Sequence, residues 1–154
     1  MNQVIDLTEF YDSADWRKIP RGHTAAALYY DGDFRAPAAA QDEFATTRWI
    51  TVLGDWRNCG IADFEQGNEV YSRPGALRAY VVGRKSLGLR ARVYCDRANL
   101  PKVRQLLVDE TYLVWVATLD GSKLEPGFTP GLWAVQYAGG QDAAYDTSVL
   151  YGIW

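Results

Sequence analysis

Histidine and cysteine are scarce. The chain has one histidine, His23, and two cysteines, Cys59 and Cys95, in 154 residues. One histidine cannot build a histidine metal site, and no CxxC pair is present. No metal and no cofactor is therefore expected. No apolar run approaches the ~18 residues of a membrane-spanning helix. The opening residues Met1-Asn2-Gln3-Val4-Ile5-Asp6 lack a basic leader and an apolar stretch of signal length. Cytoplasmic synthesis without a signal peptide is the expectation. Neither an internal repeat nor a low-complexity linker occurs, so one domain over 1–154 is expected.

Aromatic residues are abundant. Six Trp and ten Tyr accompany a hydrophobic content of 48% and a formal charge of −3. Those totals describe a globular protein with a sizeable core. The aromatic excess points to a ring-lined groove, because sugars and other flat ligands stack on such rings. Charge is uneven. Between Arg73 and Arg104 there are nine lysines and arginines and one acid, Asp96. Two amphipathic helices with solvated basic faces account for this. A face that meets an anionic polymer accounts for it as well.

Strand-like stretches follow one another along the chain: 4–10, 24–30, 49–53, 60–64, 89–95, 112–118, 131–137 and a last one near 148–151. Substantial helices are expected only after the fourth and fifth strands, opening near Arg73 and over 100–107. Leu77, Tyr80, Val81 and the Arg84 stem should face inward on the first, with Gly83 weakening it and Gly88 ending it. Leu100, Val103, Leu106 and Leu107 should do so on the second. Few hairpin signals favour parallel strands. The expected fold class is α/β: a small irregular TIM-like (β/α) barrel of eight strands with several helices missing. An open α/β sheet is the alternative.

The fourth strand carries the main chemical signal. Asp63 and Glu65 lie two apart, so on a strand they share a face while Phe64 takes the other. Two adjacent carboxylates raise one another's pKa, which suits a general acid beside an ionised carboxylate. A strand end turning into solvent is the plainer explanation of an Asp-x-Glu pair. Other strands also finish on polar or aromatic groups: Asp6, Tyr30 with Asp31, Tyr94 with Asp96, Thr118 with Asp120, Gln136 with Tyr137. Barrel enzymes place their working groups at such ends. His23 precedes the second strand, at the opposite end. Cys59 and Cys95 fall at opposite ends of neighbouring strands, about 13 Å or more apart at ~3.3 Å per residue. That exceeds disulfide reach, so two free thiols are expected.

In order and spacing these features resemble glycoside hydrolase family 25, the muramidase or Chalaropsis-type lysozymes of phage endolysins and bacteria. They are also similar to the related glycoside-hydrolase-like barrel superfamily of actinobacterial proteins. Asp6 matches the family's first strand-end aspartate, and Asp63 with Glu65 its Asp-x-Glu pair. Val93-Tyr94 resembles its fifth strand, 113–117 its Trp-bearing sixth strand, and Val135-Gln136-Tyr137 its Trp-Gln-Tyr strand. Asp146 is the nearest match to its late aspartate. Val135 departs from the family's usual tryptophan, and the chain is shorter than a usual member.

The resemblance implies cleavage of a β-1,4 bond beside an N-acetylated sugar in bacterial cell-wall glycan. Glu65 would be the general acid, with Asp63, Asp6 and Asp146 completing the catalytic set. Tyr30, Asp31, Tyr94, Trp115, Gln136 and Tyr137 would contact substrate. A phage lysin would reach the wall through a holin or as part of the virion. A catalytically silent glycan-binding or virion structural protein of the same fold is a second possibility. A nucleic-acid or protein-binding module using the basic 73–104 face is a third.

Overall fold

The computed structural model describes residues 8–22, 24–118, 120–124, 126–140 and 143–154. Eight strands close into one barrel in chain order, which excludes the open sheet. They are β1 (Glu9–Asp12), β2 (Ala25–Tyr29), β3 (Thr46–Thr51), β4 (Ile61–Asp63), β5 (Arg92–Asp96), β6 (Leu113–Ala117), β7 (Leu132–Ala138) and β8 (Asp146–Leu150). From β1 to β7 each strand runs parallel to the next. β8 is antiparallel to both β7 and β1, which corrects the expectation of uniformly parallel strands. The reason is chain length. Only residues 139–145 join β7 to β8, and a parallel crossover needs a dozen or more.

The first strand also differs from its sequence reading. It is β1, ending on Asp12. Residues 1–7, with Asp6, lie outside the described residues, as does His23.

Alternation sorts the strand side chains. Inside the barrel lie Phe10, Ala27, Ile50, Ile61, Tyr94, Trp115 and Trp133, among others. Four alanines (Ala25, Ala27, Ala117 and Ala134) leave room there for two indoles. Phe10 meets Trp115 edge-on at 4.9 Å, and Tyr94 lies 4.4 Å from Trp115. Such large–small complementarity fills a narrow interior without voids.

Outside, α1 (Glu69–Ser72) and α2 (Ala76–Ser86) follow β4, and α3 (Leu100–Leu106) follows β5. Leu77, Tyr80, Val81, Val103 and Leu107 cover Ala62, Phe64, Val93 and Cys95. Leu106, expected inside, is 41% exposed. Two 3-10 segments, Trp16–Lys18 and Ala38–Glu43, stand where helices would flank β2. Ile19, Ala36, Ala40 and Phe44 pack there against Ala26 and Leu28. Cys59 and Cys95 are free and buried. No helix among the described residues is long and apolar enough to cross a membrane.

Gly83 does more than weaken α2. A Cβ at that position would fall well inside contact with the Trp56 ring. Replacing a mid-helix glycine by alanine ordinarily gains ~1 kcal/mol. Overpacking costs ~1–3 kcal/mol, so the balance here is unfavourable. Gly83→Ala should therefore lower the urea midpoint, whereas a raised midpoint would mean that Trp56 does not seat on α2 as described.

Candidate active site at the carboxyl ends of the strands

Seven polar side chains from six strands and one loop gather at one end of the barrel. Asp12 ends β1, Tyr29 ends β2, Asp63 ends β4 and Tyr94 lies on β5. Gln136 lies on β7, Asp146 opens β8, and Glu65 follows β4. Because β8 runs backwards, its first residue arrives where the other strands end. Asp146 stands directly opposite Asp12 in the ladder.

Asp63 is 3% exposed. Its Oδ2 accepts a hydrogen bond from the Tyr29 hydroxyl at 3.1 Å, while its Oδ1 is buried without a partner among the described residues. Burial pushes the Asp63 carboxyl well above the ordinary carboxylate range, and Glu65 adds to the push. The Tyr29 hydroxyl and the Asn68 amide oppose it. Glu65 is only partly buried. Its carboxyl is also raised, by burial first, with a hydrogen bond from Tyr94 working against this and Asp96 and Asp146 adding to it.

Asp12 is likewise buried, with Oδ1 unpartnered among the described residues. Burial and then the charges of Asp146, Asp63 and Glu65 raise its carboxyl well above the ordinary range. Asp146 is raised by burial, against a 2.8 Å hydrogen bond from the Gly140 N–H and one from Gln136. Gly139 has φ of 131°, and a Cβ there would collide with the Asp146 carboxylate. Only glycine suits that turn. Tyr29 and Tyr94 hold their protons firmly, being buried beside these carboxylates. The arrangement favours protonated carboxyl groups above the ordinary carboxylate range, and Glu65, which is only partly buried, can deliver such a proton.

The remaining sequence expectations divide. Tyr94 and Gln136 join the cluster. Tyr30 does not: the alternation that takes Ala25, Ala27 and Tyr29 inward turns Tyr30 out, edge-on to Trp49 at 5.9 Å. Tyr29 holds the place expected for it. Trp115 is core, 1% exposed, with its indole N–H donating to Ser148 at 2.9 Å. Tyr137 also faces away, and its hydroxyl donates to Glu9 at 2.7 Å. Asp31 accepts from the Thr51 hydroxyl at 2.5 Å and the Val52 N–H at 2.7 Å, so it pins the loop after β3.

Two cavities flank the cluster. One, of about 340 Å³, is lined by Tyr29, Asp31, Asp33, Phe34, Asn68 and Glu69, among others. The second, of about 400 Å³, is lined by Ser13, Asp15, Lys18, Phe34, Tyr145 and Asp146, among others. Phe34 belongs to both and is 52% exposed. Among the described residues, no group of three or more His, Cys, Asp or Glu is arranged to hold a metal ion.

The basic 73–104 stretch is not one face. β5 carries Arg92 to one end of the barrel and Arg97 to the other. Arg84 and Arg92 are buried. Arg73, Arg78 and Arg97 reach the surface paired with Glu69, Glu110 and Asp120. Lys102 sits over the Tyr71 ring at 3.8 Å.

The raised carboxyls set a pH dependence. Asp12 and Asp63 ionise near their ordinary 3.8 in the unfolded chain and higher in the folded one. Stability is therefore least affected below 3.8 and falls as pH rises through the folded values. Asp12→Asn should raise the melting temperature at pH 8 by at least ~2–4 °C, the shift that ~1 kcal/mol produces at this size. At pH 3.5 it should change little. Thermal melts giving the same shift at both pH values would contradict the protonated carboxyl.

No family model, curated protein or solved structure matches this chain.

Proposed function

We propose that the chain is a glycoside hydrolase acting on bacterial cell-wall glycan, built on a pared-down TIM-like (β/α) barrel. One observation carries the reading. Asp63 and Glu65 share the end of a barrel strand, one buried and one reachable, with both carboxyls raised. Glycosidic cleavage needs a protonated carboxyl at the leaving oxygen and a second group that answers positive charge at the anomeric carbon. Glu65 is the acid. In its ionised form, with the shared proton on Glu65, Asp63 stabilises that charge or accepts from the N–H of the neighbouring N-acetyl group, whose carbonyl oxygen then attacks. Asp146 bears on the Glu65 proton. Asp12 takes the part the family resemblance gave to Asp6, as a buried positioning group rather than a substrate contact. Phe34 and Tyr29 offer aromatic surface to sugar rings.

A glycan-binding protein without catalysis is the second reading. It is favoured by the cavity linings, which include Tyr29 and Asp146 but none of Asp12, Asp63 and Glu65.

Purified peptidoglycan separates the two. Wild-type protein should lower the turbidity of a wall suspension and release reducing ends. Glu65→Gln should cut the rate by ~10²–10⁴, the usual worth of a general acid, with the melting temperature kept or raised. Tyr94→Phe should move the basic limb of the pH–rate profile upward, because Tyr94 lowers the Glu65 pKa. Wall binding with no bond cleavage by wild type would leave the second reading standing and remove the first.

A further inference from the structure

The opposite end of the barrel holds the reverse charge. Arg48 on β3, Arg92 on β5 and Arg84 on α2 converge there. Arg84 and Arg92 are 7% and 6% exposed. The Nε atoms of Arg48 and Arg92 are buried and have no hydrogen-bond partner among the described residues. Among the described residues, none of the three guanidiniums forms an ion pair with a carboxylate. The charged or titratable groups acting on Arg48 and Arg92 are other arginines and the Tyr80 hydroxyl. Arg92 is consequently drawn down to about 10, by burial first and then by Arg48.

Indoles and carbonyls offset part of this charge. Arg92 lies 4.8 Å from the Trp133 ring centre and Arg48 5.5 Å from that of Trp154. The two indoles stack on each other at 5.8 Å. Arg84 donates to the carbonyls of Trp56 and Arg90. Among the described residues the three clustered guanidiniums still lack an anion, and an isolated buried cation is strongly unfavourable. A cavity of about 240 Å³ reaches Arg92, the cluster member that lines it, together with Arg90, Trp133, Gly152 and Ile153, among others.

We propose that this cavity binds a small oxyanion, held by Arg92 and Arg90 with Arg48 and Arg84 behind. Guanidinium forks match the oxygens of such an ion, and Trp133 forms the wall beside it. The site is separate from the carboxylate end and owes nothing to glycan chemistry.

Gly60 supplies the decisive variant. A Cβ there would lie 3.7 Å from Arg48 Nη1 and 3.7 Å from Arg84 Nη2, in ordinary contact. Gly60→Asp would bring a carboxylate of the chain's own into the cluster. The experiment is titration of wild-type protein with inorganic phosphate, against sodium chloride of equal ionic strength. Melting temperature and tryptophan fluorescence are the readouts. Phosphate should raise the melting temperature saturably, by ~2 °C or more, and change the emission, while chloride does neither. Gly60→Asp should melt higher than wild type without phosphate and lose the phosphate response. Arg92→Met should lose the response too. Equal effects of phosphate and chloride on wild type would overturn the proposal. So would a phosphate response that survives in either folded variant.

Discussion

The antiparallel pairing of β8 with β1 and β7 is the contact on which the rest of the molecule depends. It closes the sheet and so removes both edges. Reversing β8 brings Asp146 to the end where the other strands finish. Ser148, two residues on and therefore also inward, takes the Trp115 N–H and satisfies the largest buried donor in the core. From the far end of β8 the chain continues to Trp154, whose ring lies against Trp133 and Phe10. One reversed strand thus helps to build the acidic end, the aromatic middle and the basic end.

Those three zones explain how the interior holds so many charges. Carboxyls at one end are relieved by keeping protons and by hydroxyls and amides turned toward them. Guanidiniums at the other cannot shed protons at neutral pH, so they rest on indole faces and carbonyls. Between them lies the layer of Phe10, Tyr94, Trp115 and Trp133. The same burial that makes each group costly to ionise gives the acidic end its chemistry. A carboxyl raised by burial keeps a proton to give at a pH where an ordinary one has lost it.

Much of this was legible in the sequence, for physical reasons that also mark where legibility ended. Asp63 and Glu65 were visible because a two-residue spacing on a short apolar strand permits one geometry. Both long helices were visible because Leu77, Tyr80, Val81 and Val103 repeat at helical spacing. Asp12 was not. The first strand was expected over 4–10, because Val4 and Ile5 are strong strand formers, and that range stops two residues short of Asp12. Tyr30 was preferred to Tyr29 because the run 25–27 is all alanine, which carries no alternation to show which face is inward. The reversed β8 follows from the short link after β7. The scarcity of hairpin signals elsewhere in the chain favoured parallel strands throughout and hid that change of direction. The arginines looked like a surface because their numbers are close in the chain, yet a strand separates near neighbours by its full length.

The central claim is that Asp12, Asp63 and Glu65 form one interacting set that holds protons above the ordinary carboxyl range. The most direct test follows the side-chain carboxyl carbons by NMR, in protein labelled at aspartate and glutamate, from pH 3 to pH 9. The account predicts that these three titrate above their ordinary values of 3.8 and 4.5. It also predicts that Glu65→Gln lowers the midpoint of Asp63. Three independent titrations at the ordinary values, unmoved by the substitution, would contradict it.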